Sequence, residues 1–246
     1  MSNYGPLDTT TARCYNFATM LVVFVVGAVA LLAVLAWVTY QSGRLLRAVP
    51  MQENLLLAPV ENGVKAAVIA LCLGLAAISG LPPAQFGWSL AHPGQDMAAG
   101  ILFGLTAQTL VNLITHWAIG HFGKGVYSPV VMKNIFPRSR REWLLVPAAM
   151  LLAVVLEEVL FRGLLLGGLG ALVPAGLLVL VLGLVFGVMH SPQGTLGMIL
   201  AAIIGMALGI LFLWSGSLLA PLVAHYLINI LQLLRARDEW RWLQEY

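Results

Sequence analysis

The sequence predicts an all-α protein: a polytopic transmembrane bundle of about seven helices, or eight if a short one is hidden, around a buried polar catalytic cavity. Of its 246 residues, 60% are hydrophobic and only 9% are charged, whereas a typical soluble domain carries about 25% charged residues. Seven apolar windows are long enough, or nearly so, to cross a bilayer. Ionisable residues nevertheless interrupt one of them. We therefore expect residues 1–246 to form a single integral-membrane domain.

The seven apolar windows differ in length and in the residues that they carry. The first is too long for a cleaved signal peptide, and Trp37 and Tyr40 near its end suit a membrane interface. An eighth short helix would reverse the predicted side of the N-terminus, and the second window is where it would be sought. The fourth carries the acidic residues, and the glycine-rich start of the fifth can form a re-entrant turn. The windows cover about residues 18–40, 64–79, 97–119, 143–166, 171–189, 196–214 and 218–234.

Basic residues fix the expected orientation. Eleven of the thirteen Lys and Arg residues fall on one side when alternate loops are assigned to opposite sides of the membrane; Arg13 lies opposite and Arg162 lies within a window. The positive-inside rule then predicts a cytoplasmic C-terminus and an N-terminus outside. The expected location is a multi-pass position in a cell membrane, the inner or plasma membrane if the source is bacterial. The net charge of +3 is too small and too one-sided to indicate nucleic-acid binding.

Residues 121–142 form the longest polar stretch and hold five of the basic residues. This pattern is typical of a solvated cytoplasmic loop. The alternative is an interfacial helix that attracts anionic lipid or a substrate. His116 and His121 are expected near this interface, although His116 could approach a site from a helix face.

Glu157, Glu158 and Arg162 lie inside the fourth window. A lone charge at the bilayer centre costs about 2.5–3.5 kcal/mol on insertion scales, so such residues are usually paired or functional. Residues four apart share a helix face, and Glu158 is therefore predicted to pair with Arg162. Glu157 is rotated by about 100° and remains available as a general base. The alternative is an ion network that only locks helix packing.

Three polar positions in later windows complete the candidate site. His190 ends the fifth window before Ser191-Pro192, where the helix should stop, with Phe186 four residues earlier. His225 and Asn229, four apart, share one face of the last helix. Each alone would be explained by an interfacial or packing role. Together they predict convergence on Glu157.

These residue types suit hydrolysis of a peptide bond. Glu157 can take a proton from water while His190 helps to hold that water, and His225 and Asn229 can donate hydrogen bonds to the oxyanion. A recognisable serine or cysteine nucleophile motif and the HExxH zinc signature are missing from the sequence. Glu157, His190 and His225 nevertheless form a known type of zinc-ligand set. A mechanism without cofactor and one with a divalent metal such as zinc both remain open.

At these residues the sequence resembles the CPBP family of CAAX proteases and bacteriocin-processing enzymes. The family motif EExxxR corresponds to residues 157–162, FxxxH to residues 186–190, and the histidine followed four residues later by asparagine to residues 225–229. The resemblance implies an intramembrane protease whose catalytic motifs lie within about residues 143–234. It implies that Glu157 activates water with His190, while His225 and Asn229 stabilise the oxyanion. A glutamate-type mechanism is favoured, since a zinc site would leave Asn229 without a role.

The predicted function is therefore intramembrane endopeptidase activity on a membrane-associated protein or peptide, of a CAAX-type prenylated kind if the resemblance extends to the substrate. Membrane lipid is the other expected partner. Two alternatives remain: a catalytically inactive family member that acts as a membrane binding or immunity protein, and a proton-coupled transporter. The second is weakened because the sequence has no repeat between its halves.

Overall fold

The computed structural model describes the backbone of residues 9–48 and 53–240 and the side chains of residues 17–46 and 53–240. Throughout these described ranges the regular structure is helical, which confirms the predicted fold class. Short 3-10 turns connect several of the helices. The helices are α1 (Thr9–Ala48), α2 (Pro59–Ile78), α3 (Pro93–Phe122), α4 (Val130–Ile135), α5 (Arg140–Glu158), a π-helix (Val159–Gly167), α6 (Ala175–Met189), α7 (Gly194–Ser215) and α8 (Leu219–Asp238).

The seven predicted apolar windows each correspond to a helix in the described part of the chain. Six segments are long and apolar enough to cross a membrane, with α5 and the π-helix together forming one of them. The protein is thus an integral, multi-pass membrane protein. The orientation of the termini stays a prediction, and of the basic residues behind it Arg13, Arg47 and Arg241 lie outside the residues whose side chains are described.

Several boundaries differ from those expected: α1, α2 and α3 begin earlier than their windows, and α6 begins later. Helix α6 begins only at Ala175, after Pro174, so it has 15 residues. At 1.5 Å per residue it extends for about 22 Å, less than the bilayer core of about 30 Å. The polar stretch 121–142 is not a plain loop, because it contains α4, whose six residues are too few to cross a membrane.

The fourth window is the least regular. It begins as α5, where the Ser139 Oγ accepts a hydrogen bond from the Glu142 backbone N–H at 3.2 Å and caps the helix start. After Glu158 the chain continues without a break into the nine-residue π-helix. Eight consecutive residues, 160–167, are buried there. A π-helix is rare and often marks a functional site.

Small residues let the helices approach closely. A Cβ on Gly100 of α3 would lie 2.6 Å from the Ala220 carbonyl oxygen of α8, and one on Gly104 would lie 3.0 Å from the Ala224 carbonyl oxygen. Because residue numbers rise together along this contact, α3 and α8 run parallel. The spacing GxxxG is a common feature of such membrane contacts. Gly187 of α6 similarly faces the Met198 carbonyl oxygen and Ala202 of α7.

The α3–α8 contact makes a first prediction. Gly100→Ala should lower the free energy of unfolding by about 1–3 kcal/mol, because the new methyl group would overlap the Ala220 carbonyl oxygen and Val223. Gly120→Ala in the same helix is the matched control, since a Cβ there would meet nothing within 4 Å. Thermal unfolding of the detergent-purified variants measures the difference. Equal unfolding temperatures for the two variants would contradict the proposed contact.

Candidate active site

The two acidic residues at the end of α5 have different surroundings. The side chain of Glu158 is fully buried, while that of Glu157 is 33% exposed. Glu157 lines a cavity with a volume of about 870 Å³. We call it the central cavity; it is bordered by parts of α1, α2, α3, α5, α6, α7 and α8. The division of the acids into one buried and one accessible carboxylate follows the sequence prediction.

Glu158 is the centre of a buried ion network. Its Oε1 accepts hydrogen bonds from Arg162 Nη1 at 2.8 Å and from His225 Nδ1 at 2.6 Å. The Arg162 contact confirms the predicted pairing, whereas the His225 contact was not predicted. Arg162 Nη2 also donates to the Gly205 carbonyl oxygen at 3.1 Å. The network thereby connects the π-helix to α7 and α8.

The contact with Glu158 determines how His225 faces the central cavity. Because the carboxylate paired with Arg162 can only accept, the His225 Nδ1 carries a hydrogen. The other ring nitrogen, Nε2, lies 3.6 Å from Glu157 Oε2, an ion-pair distance. His225 is itself buried. A buried carboxylate therefore orients the imidazole so that Nε2 points toward the accessible acid.

A backbone carbonyl oxygen orients His190 in a similar way. Helix α6 ends at Met189, as predicted from the following Ser191-Pro192, and His190 forms its C-cap. The His190 Nδ1 lies 2.7 Å from the Phe186 carbonyl oxygen, which can only accept, so Nδ1 again carries the hydrogen. Its Nε2 is left as an acceptor.

Phe186 lies between the two histidines. Its ring centroid is 4.4 Å from that of His190 and 5.9 Å from that of His225. The Arg162 guanidinium carbon lies 5.1 Å from the same centroid. Phe186 thus packs the ion network against the helix end that carries His190.

The central cavity brings together most of the predicted site residues. Glu157, Phe186, His190, His225 and Asn229 all line it, although they come from α5, α6 and its C-cap, and α8. The predicted supporting residues Glu158 and Arg162 lie behind its wall and do not line it. His116, expected at the interface, is exposed and also borders the central cavity.

Two polar residues of α3 were missed. Gln108 and Asn112 line the central cavity, and Gln108 is 97% buried (3% exposed). Two amides four residues apart in an otherwise apolar window are a detectable signal, because that spacing puts them on one helix face.

The predicted metal ligands do not form a compact set. Among the described residues, no three His, Cys, Asp or Glu side chains are grouped so that they could hold a metal ion. His225 and His190 each direct Nδ1 to an oxygen acceptor, an arrangement that metal-binding histidines also use.

A helical membrane bundle that holds a carboxylate, two histidines and an amide around one cavity has the parts of an intramembrane hydrolase. Residues 139–231 match the family model described as type II CAAX prenyl endopeptidase Rce1-like. This segment contains all three sequence motifs, so the recognised resemblance is confirmed. The match supports an intramembrane protease of the CAAX type in general. No curated protein and no solved structure matches the chain.

The ion network makes a second prediction. Arg162→Ala should lower the free energy of unfolding by about 3–5 kcal/mol, because it leaves the Glu158 carboxylate buried without its cationic partner. Asp238→Asn, at an exposed ion pair with Arg237, should change it by less than about 1 kcal/mol. Thermal or denaturant unfolding of the purified variants gives both values. Similar losses in the two variants would show that the buried network is not a major stabilising feature.

Proposed function

We propose that the protein is an intramembrane endopeptidase that hydrolyses a peptide bond near the C-terminus of a membrane-associated, prenylated CAAX-type substrate. The observation that carries this proposal is the meeting of Glu157, His190, His225 and Asn229 at one cavity. These four residues derive from three helices, α5, α6 with its C-cap, and α8, so helix packing rather than local sequence brings them together. The family match over residues 139–231 supports the same class of reaction and suggests the class of substrate.

In the proposed first step, a water molecule in the central cavity attacks the scissile carbonyl carbon. Glu157 accepts the proton of this water, and its partial exposure to the cavity allows that contact. His190 Nε2 accepts a hydrogen bond from the second O–H of this water, because Nδ1 already donates to the Phe186 carbonyl oxygen. The attack forms a carbon–oxygen bond and moves negative charge to the carbonyl oxygen.

His225 and Asn229 are proposed to stabilise that oxyanion. Asn229 donates from its side-chain amide. His225 donates from Nε2 in its doubly protonated form, because Nδ1 already donates to Glu158. The formal charges of Glu157, Glu158, Arg162 and this imidazolium then sum to zero. Breakdown of the intermediate breaks the carbon–nitrogen bond, and the proton held by Glu157 passes to the leaving amine.

The proposed mechanism predicts a larger loss of cleavage activity when a water-activating residue is replaced than when an oxyanion donor is replaced. Glu157→Gln and His190→Ala should abolish cleavage of a farnesylated CAAX peptide, while Asn229→Ala should lower kcat by about 10²–10³-fold. The reaction is followed with a fluorophore–quencher peptide and protein reconstituted in liposomes. Elution volume and unfolding temperature verify that each variant is folded.

Glu61→Gln is the matched control, because Glu61 also borders the central cavity but pairs with Lys65 at 3.0 Å. Its cleavage rate should stay within about threefold of the unmodified protein, since Glu61 has no part in the proposed chemistry. The unfolding temperature of this variant checks the loss of the pair with the buried Lys65. Normal turnover by folded Glu157→Gln protein would rule out the proposed base. A proton flux into liposomes that disappears in that variant, without any peptide cleavage, would favour the transporter alternative.

A further inference from the structure

The amide pair on α3 has hydrogen-bonding groups that no other described residue meets. Gln108 Nε2 donates to Asn112 Oδ1 at 2.7 Å. The Gln108 Oε1 is buried and has no hydrogen-bond partner within the described residues. Both side chains line the central cavity. One unpaired acceptor, together with the amide hydrogens of Asn112, is therefore available beside the candidate catalytic groups.

A packing role does not explain this pair. Its hydrogen bond joins residues four apart on one helix, so it does not connect α3 to another helix. A buried acceptor without a partner lowers stability unless a ligand or water meets it. An apolar residue at position 108 would avoid that cost. The amide is thus better explained by a group that enters the central cavity.

The α3–α8 register locates the pair relative to the candidate site. Gly100 faces Ala220, and Gly104 faces Ala224. One further turn of both parallel helices brings Gln108 to the level of Ile228 and its neighbour Asn229. Asn112 then lies at the level of Gln232, which also lines the central cavity. The pair is therefore beside the proposed oxyanion donor and extends toward the end of α8.

We propose that Gln108 and Asn112 bind the main chain of the substrate next to the scissile bond. Gln108 Oε1 accepts from one substrate N–H, and Asn112 Nδ2 donates to one substrate carbonyl oxygen. An extended peptide offers both groups in every residue, and main-chain hydrogen bonds of this kind give affinity without regard to side chains. The pair would hold the peptide in register while cavity shape selects its side chains. This inference rests on the proposed peptidase function and names the substrate groups recognised.

The test combines protein variants with substrates that lack single N–H groups. The substrates are farnesylated CAAX peptides in which one backbone amide at a time, other than the scissile one, is replaced by an ester. In the unmodified protein, one ester position should lower kcat/KM by about three- to tenfold more than the others, as expected for one lost hydrogen bond. In Gln108→Met, which keeps a similar shape, that extra loss should vanish. If Gln108 had only a structural role, the loss caused by Gln108→Met and the loss caused by the ester would simply multiply.

Thr109→Val is the matched control on the same helix. Its Oγ1 bonds to the Leu105 carbonyl oxygen, and its side chain is exposed outside the central cavity. Thr109→Val should keep the full extra loss of kcat/KM at that ester position. Equal losses at all ester positions in the unmodified protein, or multiplicative losses in folded Gln108→Met, would overturn the inference.

The same peptides, bound to the Glu157→Gln variant and measured by fluorescence anisotropy, separate this inference from the proposed function. An ester effect on affinity that depends on Gln108 supports main-chain binding even if the unmodified protein cleaves nothing. Cleavage without such an effect supports the peptidase and removes the α3 amides from its substrate site.

Discussion

The buried contact between Glu158, Arg162 and His225 is the constraint on which the rest of the protein depends. Hydrocarbon offers no water to solvate a carboxylate or a guanidinium, so each charge needs a partner of fixed geometry. Glu158 accepts from Arg162 and His225 through one oxygen, and Arg162 reaches the Gly205 carbonyl with its second nitrogen. The same bonds that make the charges tolerable also fix the orientation of His225. Stability and proposed chemistry therefore depend on one set of atoms.

Close helix packing provides the walls that such a network needs. Gly100 and Gly104 let α3 lie directly against the backbone of α8, which holds His225 and Asn229. Gly205 lies against the Phe186 ring: a Cβ added at Gly205 would be only 3.1 Å from that ring. Glycine at these positions brings backbone close to the polar groups rather than filling the space with side chains.

Much of this arrangement could be predicted from sequence, because charges in an apolar window have few explanations. Seven apolar windows gave the helices, and the i,i+4 spacing gave the Glu158–Arg162 pair. The Glu158–His225 bond could not be predicted, since it joins residues 67 apart whose helices are brought together only by packing. The π-helix was also missed, because its apolar residues fit an α-helix equally well. Gln108 and Asn112 were overlooked because their window carries no charge in the relevant turn.

The π-helix has a consequence for how the chain tolerates change in length. A helix that bonds each N–H to a carbonyl five residues back turns less per residue than an α-helix, so the residues that follow emerge at a different azimuth. Deleting one residue between 159 and 167 would favour tighter winding and rotate everything downstream. Residues 160–167 are all buried, so such a rotation would move each of these side chains out of the place that it now fills. Insertions and deletions should therefore be tolerated in this stretch less well than exchanges between apolar side chains of similar size.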